Sequence, residues 1–215
     1  MKRTSILYII LFISTALSAM DMSINKSIHV KNGHKQHHDC MTINGNIKIG
    51  DDTKVSGSCR TVNGNINIGT NSTVKRLQTV NGNINIDENT KILSSVQSVN
   101  GEVNCASNVF VRGEIQTVNG SIELDNTQVK RDITTYNGNI TLDNGSIIEG
   151  NIIIKDSDRH KRRKKPLEIT ILGNSIIEGD IIVKEDDLEV LVYIEDGSKV
   201  MGEIHNAKII NNKSG

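Results

Sequence analysis

The chain has 215 residues, with 18 Gly, one Pro and no Trp, and its 25 basic residues balance 25 acidic ones. Aromatic residues make up only 2% of the chain, which is unlike a conventional globular core built around large aromatic anchors. The balanced charge provides no overall attraction to nucleic acid or to an anionic membrane. Ile, Val and Asn are frequent instead, and this composition indicates β-strands joined by tight turns.

Residues 1–19 are predicted to be an export signal. Lys2 and Arg3 provide a positive start, an apolar stretch runs over 6–17, and small residues suited to cleavage occupy 16–19. The apolar stretch is short for a membrane span, and retention as an N-terminal anchor is the alternative. Cleavage would leave 23 basic and 25 acidic residues, a net charge of −2. We therefore expect an exported protein of the periplasm or cell surface, with no transmembrane segment in the mature chain.

An Asn-Gly pair recurs after the signal at intervals of 18 or 19 residues. Its asparagines are Asn44, Asn63, Asn81, Asn100, Asn119 and Asn137. A degenerate copy precedes them, with Asn25 followed by Lys26 in place of Gly. Alternation along the strand predicts that Val62, Gly64, Ile66 and Ile68 point inward and that Asn63, Asn65 and Asn67 point outward.

Each repeat also has a second half with the pattern apolar-x-Gly-x-apolar, as in residues 111–115. Two strand–corner–strand units per repeat are typical of one coil of a parallel β-solenoid, in which coils stack about 4.8 Å apart. A left-handed hexapeptide solenoid would show apolar residues every six positions, whereas the intervals from Ile43 to Cys59 are 4, 2, 6 and 4. The sequence therefore predicts an all-β fold, a single right-handed parallel β-helix of about 8–9 coils over residues 20–206.

The asparagines of the repeat are predicted to form a ladder of side-chain amides that bond from coil to coil. An Asn at every coil favours this structural role over ligand binding. The open edges at the two ends of such a rod predict axial self-association, with the degenerate first coil and a C-terminal cap or tail over 207–215 opposing it.

The regular spacing is interrupted by residues 155–166, which are predicted to form an extruded loop. Its cations are Arg159, Lys161, Arg162, Arg163, Lys164 and Lys165. A cluster of this kind is suited to an anionic polysaccharide or to lipid head groups; the alternative is a solvated loop. No aromatic residues are interleaved with the cations, so sequence-specific recognition of nucleic acid is not expected.

The sequence also contains candidate residues for metal binding and for catalysis. His34, His37 and His38 are candidate metal ligands, although their spacing is no recognised signature and a solvated loop explains them as well. Asp87, Asp125 and Asp143 share one column and could provide an acid and a base in a polysaccharide lyase or hydrolase. Turn preference also accounts for these carboxylates. The sequence therefore predicts no catalytic residue and no cofactor.

Cys40 and Cys59 are one coil apart and precede the next repeat Asn by four residues. The distance between neighbouring coils falls within the Cα separation of a disulfide, about 4.4–6.8 Å, and an exported protein meets an oxidising compartment. We therefore predict a disulfide between them. Cys105 lies in a neighbouring inward column without a Cys one coil away, and it is predicted to be a buried thiol.

The Asn-Gly coils, as in residues 61–66, resemble a family of exported bacterial adhesin-like β-solenoids. The segments 147–155 and 176–184 resemble the coils of bactofilins, which are polymer-forming cytoskeletal proteins. Because bactofilins are typically cytoplasmic, the export signal favours the adhesin-like group. The resemblance implies a non-catalytic structural or adhesive protein of the cell envelope, with a carbohydrate-active enzyme on the same scaffold as the alternative.

Overall fold

A computed structural model describes residues 20–155, 165–184, 188–195 and 197–211. These residues form an all-β solenoid of about 9 turns, and no helix occurs among them. The predicted fold class is therefore confirmed, while the right-handed sense of the coil stays a prediction.

Each coil presents up to three short strand segments, which form three faces of the rod. Faces A and B belong to one sheet of 17 strands, and face C is a second sheet of 10 strands, counted over the described ranges. Face A contains β3 (Lys35–Gln36), β10 (Lys91–Ile92), β13 (Phe110–Val111), β16 (Gln128–Val129), β19 (Ile147–Ile148), β22 (Ile176–Ile177) and β25 (Lys199–Val200). Face B contains β1 (Met20–Ser23), β4 (Asp39–Asn44), β11 (Val96–Asn100), β14 (Ile115–Thr117), β17 (Ile133–Thr135), β20 (Ile152–Ile154), β23 (Ile181–Val183) and β26 (Ile204–His205).

Two longer strands, β6 (Lys54–Asn63) and β8 (Thr73–Asn81), continue from face A into face B. Face C contains β2 (Ile28–Val30), β5 (Ile47–Ile49), β7 (Ile66–Ile68), β9 (Ile84–Ile86), β12 (Val103–Cys105), β15 (Ile122–Asp125), β18 (Ile140–Asp143), β21 (Leu167–Ile171), β24 (Val190–Ile194) and β27 (Lys208–Asn211). Every coil-to-coil pairing is parallel, so equivalent residues of successive coils lie side by side.

The hydrophobic core runs along the rod as inward columns of β-branched residues. On face C, Ile47 pairs with Ile66, and Ile66 pairs with Ile84. All three side chains are fully buried. Burial of an Ile side chain stabilises the fold by about 1.5–3 kcal/mol, so the repeated columns supply the main driving force in place of aromatic anchors.

The prediction that Val62 points inward is wrong. Val62 is half-exposed, whereas the preceding Thr61 is buried. The strand alternation ends at the corner, and the Thr61 hydroxyl donates a hydrogen bond of 2.9 Å to the backbone carbonyl of Gly45 in the preceding coil. A buried threonine is therefore used here because its hydroxyl satisfies a carbonyl at the turn.

The Asn-Gly corner between faces B and C requires glycine because successive backbones nearly touch. A Cβ added to Gly64 would lie 2.0 Å from the carbonyl oxygen of Gly45, and one on Gly120 would lie 2.0 Å from that of Gly101. The side chain would thus meet the backbone of the preceding coil. Lys26 is tolerated at the equivalent first position because no coil precedes it in the described part of the chain.

The corner between faces C and A has a separate column of residues with left-handed backbone. This column was not predicted from the sequence. Asn71 and Asn108 have φ of 55° and 59°, values that Asn adopts more readily than most residues. The same conformation occurs at Asp52, Asn89, Asn126, Asn144 and Asn174.

A column of buried hydroxyls follows this corner. Ser72 accepts a hydrogen bond of 3.0 Å from the backbone amide of Thr53, and its own hydroxyl donates to the carbonyl of Gly50 at 2.9 Å. Both Thr53 and Ser72 are buried. The hydroxyls therefore satisfy backbone groups within the turn.

Beyond Asn137 the corner between faces B and C changes. Connections over 155–166 and 184–189 join the strands there in place of an Asn-Gly pair. Strand β27 pairs in parallel with β24, so the sheet of face C continues to Asn211, within the segment 207–215 that was predicted as a cap or tail. Its last coil leaves apolar side chains uncovered, with Ile209 49% and Met201 67% exposed. Axial self-association stays a prediction.

We expect Gly101→Ala to destabilise the protein by about 3 kcal/mol or more, because its Cβ would lie 2.0 Å from the Gly82 carbonyl oxygen and would force two coils apart. The matched control is Gly33→Ala. Gly33 has a φ of 69° with no atom within 4 Å of an added Cβ, so only the cost of the left-handed backbone, about 1–2 kcal/mol, applies. Urea unfolding measures both, and equal losses would contradict the close-contact explanation.

Candidate interaction surfaces

The repeat asparagines form a continuous ladder on the outside of the rod. Asn63 Nδ2 donates to Asn44 Oδ1 at 2.7 Å, and Asn100 donates in the same way to Asn81 at 2.9 Å. The other steps extend the ladder from Asn25 to Asn137, with distances of 2.7 Å (Asn44 to Asn25), 2.8 Å (Asn81 to Asn63), 2.8 Å (Asn119 to Asn100) and 3.5 Å (Asn137 to Asn119). Each amide is thus occupied by its neighbours in the adjacent coils.

The second asparagine of each corner has a different partner. Asn46 Oδ1 accepts a hydrogen bond of 2.8 Å from the backbone amide of Asn65, and Asn65 Oδ1 accepts one of 2.8 Å from the amide of Asn83. These side chains satisfy amides at a corner where the strand pairing pauses. The second asparagine of each of these corners therefore has a structural role, as an acceptor for a backbone amide of the next coil.

A further row of amides lies on face B. Arg60 Nε donates to Gln78 Oε1 at 2.8 Å, and Gln78 Nε2 donates to Gln97 Oε1 at 2.6 Å. Arg60 also forms an ion pair with Asp39 at 3.2 Å. This row, like the Asn ladder, joins coil to coil along the rod.

The amide row on face C ends at an unsatisfied atom. Asn85 Nδ2 donates to Asn67 Oδ1 at 2.8 Å, and Asn104 Nδ2 donates to Asn85 Oδ1 at 3.1 Å. The next residue in the column is Glu123, whose carboxylate has no N–H to offer. Asn104 Oδ1 is consequently buried without a hydrogen-bond partner.

An acidic groove of about 370 Å³ lies over this break, lined in part by Asp87, Glu123, Asp125 and Asp143. Asp125 and Asp143 are partners in register on adjacent coils, as the sequence predicted. Asp125 accepts a hydrogen bond of 2.8 Å from Asn144 Nδ2, and Asp143 accepts one of 2.7 Å from the Asn144 backbone amide. Both carboxylates therefore support the turn that follows face C.

A second groove, of about 550 Å³, follows the Asn-Gly corner. Gly101 and Gly120 form its floor, and Asn100, Asn119 and Asn139 are among the polar side chains along it. Because glycine leaves the backbone uncovered, this groove is a direct consequence of the close stacking of the coils.

The histidine candidates are not gathered into a site. His34, His37 and His38 are each exposed, and the described residues contain no group of three or more His, Cys, Asp or Glu side chains that could hold a metal ion. His34 precedes β3, whereas His37 and His38 occupy the turn between β3 and β4, where the backbone carbonyl of His38 closely approaches Gly57. The exposure of the three side chains fits the alternative of a solvated loop.

The predicted anion-binding loop falls largely outside the described residues. Of its six cations, Arg159, Lys161, Arg162, Arg163 and Lys164 lie in the undescribed segment, and only the exposed Lys165 is described. Anion binding by the loop stays a prediction.

The cysteines occupy the predicted columns. Cys40 and Cys59 are direct partners in the pairing of β4 with β6, and both are fully buried. Both are thiols in this structure, so the disulfide itself stays a prediction. A hydrogen bond with Cys40, together with burial, raises the pKa of Cys59 well above its usual value. Burial raises the pKa of Cys105 to about 12.

Comparisons with family models, with curated proteins and with solved structures returned no match to this chain. Within the described ranges, no helix is long and apolar enough to cross a membrane.

For the exported protein, we expect peptide mapping under non-reducing conditions to find Cys40 linked to Cys59. Closing a loop of about 20 residues should stabilise the fold by about 3 kcal/mol. Cys105 should react with iodoacetamide only after unfolding, because the thiol is buried and burial raises its pKa to about 12. Any linkage that includes Cys105 would contradict the register.

We expect Glu123→Asn to stabilise the protein by about 1 kcal/mol, because the new amide can donate to the unsatisfied Asn104 Oδ1. Glu178→Asn is the matched control, since the same substitution removes the same charge from an exposed position just after β22, outside this amide row. Thermal and urea unfolding provide the measurement. An equal gain in both variants would assign the effect to charge alone.

Proposed function

We propose that this chain is a non-catalytic, exported structural or adhesive module of the bacterial cell envelope. The proposal combines the predicted signal over residues 1–19 with a rod whose Asn-Gly corner repeats from coil to coil, so that the Asn ladder extends from Asn25 to Asn137. Repeated surfaces suit extended contact with other envelope components, because solenoids present long faces rather than one enclosed site.

One observation carries this proposal. The polar side chains of the outer columns bond to their equivalents in the adjacent coils, as Asn63 does to Asn44 and Gln78 does to Gln97. An enzyme would instead be expected to direct different groups from several coils toward one reacting atom. The side-chain chemistry thus favours a scaffold.

A carbohydrate-active enzyme is the second candidate, and the acidic groove on face C favours it. Asp125 and Asp143 lie on adjacent coils within that groove. Their hydrogen bonds to Asn144 are consistent with a turn role, but paired carboxylates are also the groups used in glycoside hydrolysis.

Cell fractionation tests the proposed location. We expect the epitope-tagged full chain to be recovered in the periplasm or at the cell surface, and a variant lacking residues 2–19 to remain in the cytoplasm. The mature mass should correspond to cleavage after Ala19; an uncleaved chain in the membrane fraction would indicate an anchor. Cytoplasmic recovery of both forms would refute export.

The two candidate functions differ in one measurement. We expect the mature protein to release no reducing ends or unsaturated products from acidic and neutral polysaccharides. Asp125→Asn/Asp143→Asn provides the control, because any genuine activity in this groove should be lost in that variant. Product release by the wild type and its loss in the variant would favour the enzyme.

A further inference from the structure

Face A of the first six coils has one outward cation per coil. These residues are Lys35, Lys54, Lys75, Lys91, Arg112 and Lys130. The strand register places them in two neighbouring outward columns. Lys35, Lys54 and Lys91 share one column, since Lys35 pairs with Lys54, and Lys54 and Lys91 both pair with Thr73. The other three cations lie in the next outward column, two residues further along their strands. Six coils at about 4.8 Å spacing extend the row over about 24 Å.

The side chains of the row are solvent-exposed, and most of their charges have no ion-pair partner among the described residues. All six side chains are exposed, and of these Lys130 forms an ion pair with Glu149. Lys54, Lys75, Lys91 and Arg112 have no ion pair with a described residue. The outward positions of face A in these coils include no carboxylate among the described residues, although the chain as a whole is neutral.

Carboxylates instead lie on both sides of the row. Asp52 and Glu88 are exposed at the corner between faces C and A, and Glu114 and Asp132 follow the corner between faces A and B. The cations therefore form a positive strip whose border is acidic toward face C and mixed toward face B, where the exposed Arg131 also lies. Such a strip attracts a narrow anionic chain, while a wide anionic plane would also meet the bordering carboxylates.

We propose that face A of coils one to six binds a linear acidic polysaccharide, whose carboxylate or sulfate groups lie along the cationic row parallel to the rod axis. This inference rests on the proposed envelope function and specifies its partner. The site is distinct from the basic loop over 155–166, because the row lies on the folded face and is complete before the loop begins.

Leu93 and Phe110 lie within the same face and support a sugar partner. Leu93 is 43% exposed, and Phe110 is half-exposed between Lys91 and Gln128. The apolar faces of sugar rings can pack on such side chains while their acidic groups pair with flanking cations. On a bilayer surface, the bordering carboxylates would have to approach lipid phosphates of the same charge, and this approach is unfavourable.

The test measures binding of polygalacturonate to the mature chain, residues 20–215, at low and high salt. The variant Lys54→Gln/Lys75→Gln/Lys91→Gln/Arg112→Gln removes four cations from the row. We expect it to bind about 30-fold more weakly at low salt, since each exposed ion pair contributes about two- to threefold. Its binding should also depend less steeply on salt, because fewer counterions are exchanged.

The matched control, Lys31→Gln/Lys48→Gln/Lys184→Gln/Lys208→Gln, removes four exposed lysines outside the row. It should weaken binding by less than about threefold, as long-range charge effects are largely screened. A third variant replaces the six cations of the loop by Gln and should retain binding. Circular dichroism establishes that each variant is folded.

Several results would overturn the proposal: no binding of polygalacturonate by the wild type, equal losses in the row and control variants, or loss of binding in the loop variant. Vesicles containing 20% phosphatidylglycerol form the comparison arm, and binding to these vesicles but not to polygalacturonate would also overturn it. Fractionation is unaffected by these outcomes, so failure here leaves the proposed export separately testable.

Discussion

The contact between a glycine and the carbonyl of the preceding coil is the constraint on which the rod depends. At Gly64 and Gly120 there is no room for even one methyl group between successive backbones. Because every coil must approach its neighbour this closely, all equivalent residues are held in register. The buried isoleucine columns, the asparagine ladder and the paired cysteines then follow from one spacing.

Much of the fold could be predicted because the most constrained corner is also the most repetitive. The Asn-Gly pairs fixed the coil length, and this length placed Cys59 beside Cys40 and Ile66 beside Ile47. The corner between faces C and A, where one residue has left-handed backbone, was harder to predict. Asn, Asp and Gly all tolerate its backbone conformation, and the distance from the preceding Asn-Gly pair varies between coils. Val62 was misplaced because alternation was extended into a corner.

The candidate surfaces were less predictable for a related reason. The cations of face A are separated in sequence by 19, 21, 16, 21 and 18 residues, so no simple repeat reveals them. They come together because they occupy two neighbouring outward columns of the same face, two residues apart along each strand. Likewise, Glu123 is unremarkable in sequence, and its effect on Asn104 becomes apparent only when the two are known to be partners.

The glycine contact also has an evolutionary consequence. A gene duplication that adds 18 or 19 codons inserts a complete coil, so every column gains one member and the cross-section is unchanged. A shorter insertion has to be taken up away from the Asn-Gly corner, so that each glycine stays over the carbonyl below it; coils of 18 and of 19 residues and the long connection between β20 and β21 are examples. Rod length can thus vary in whole steps, and any ligand-binding strip along the rod would lengthen with it.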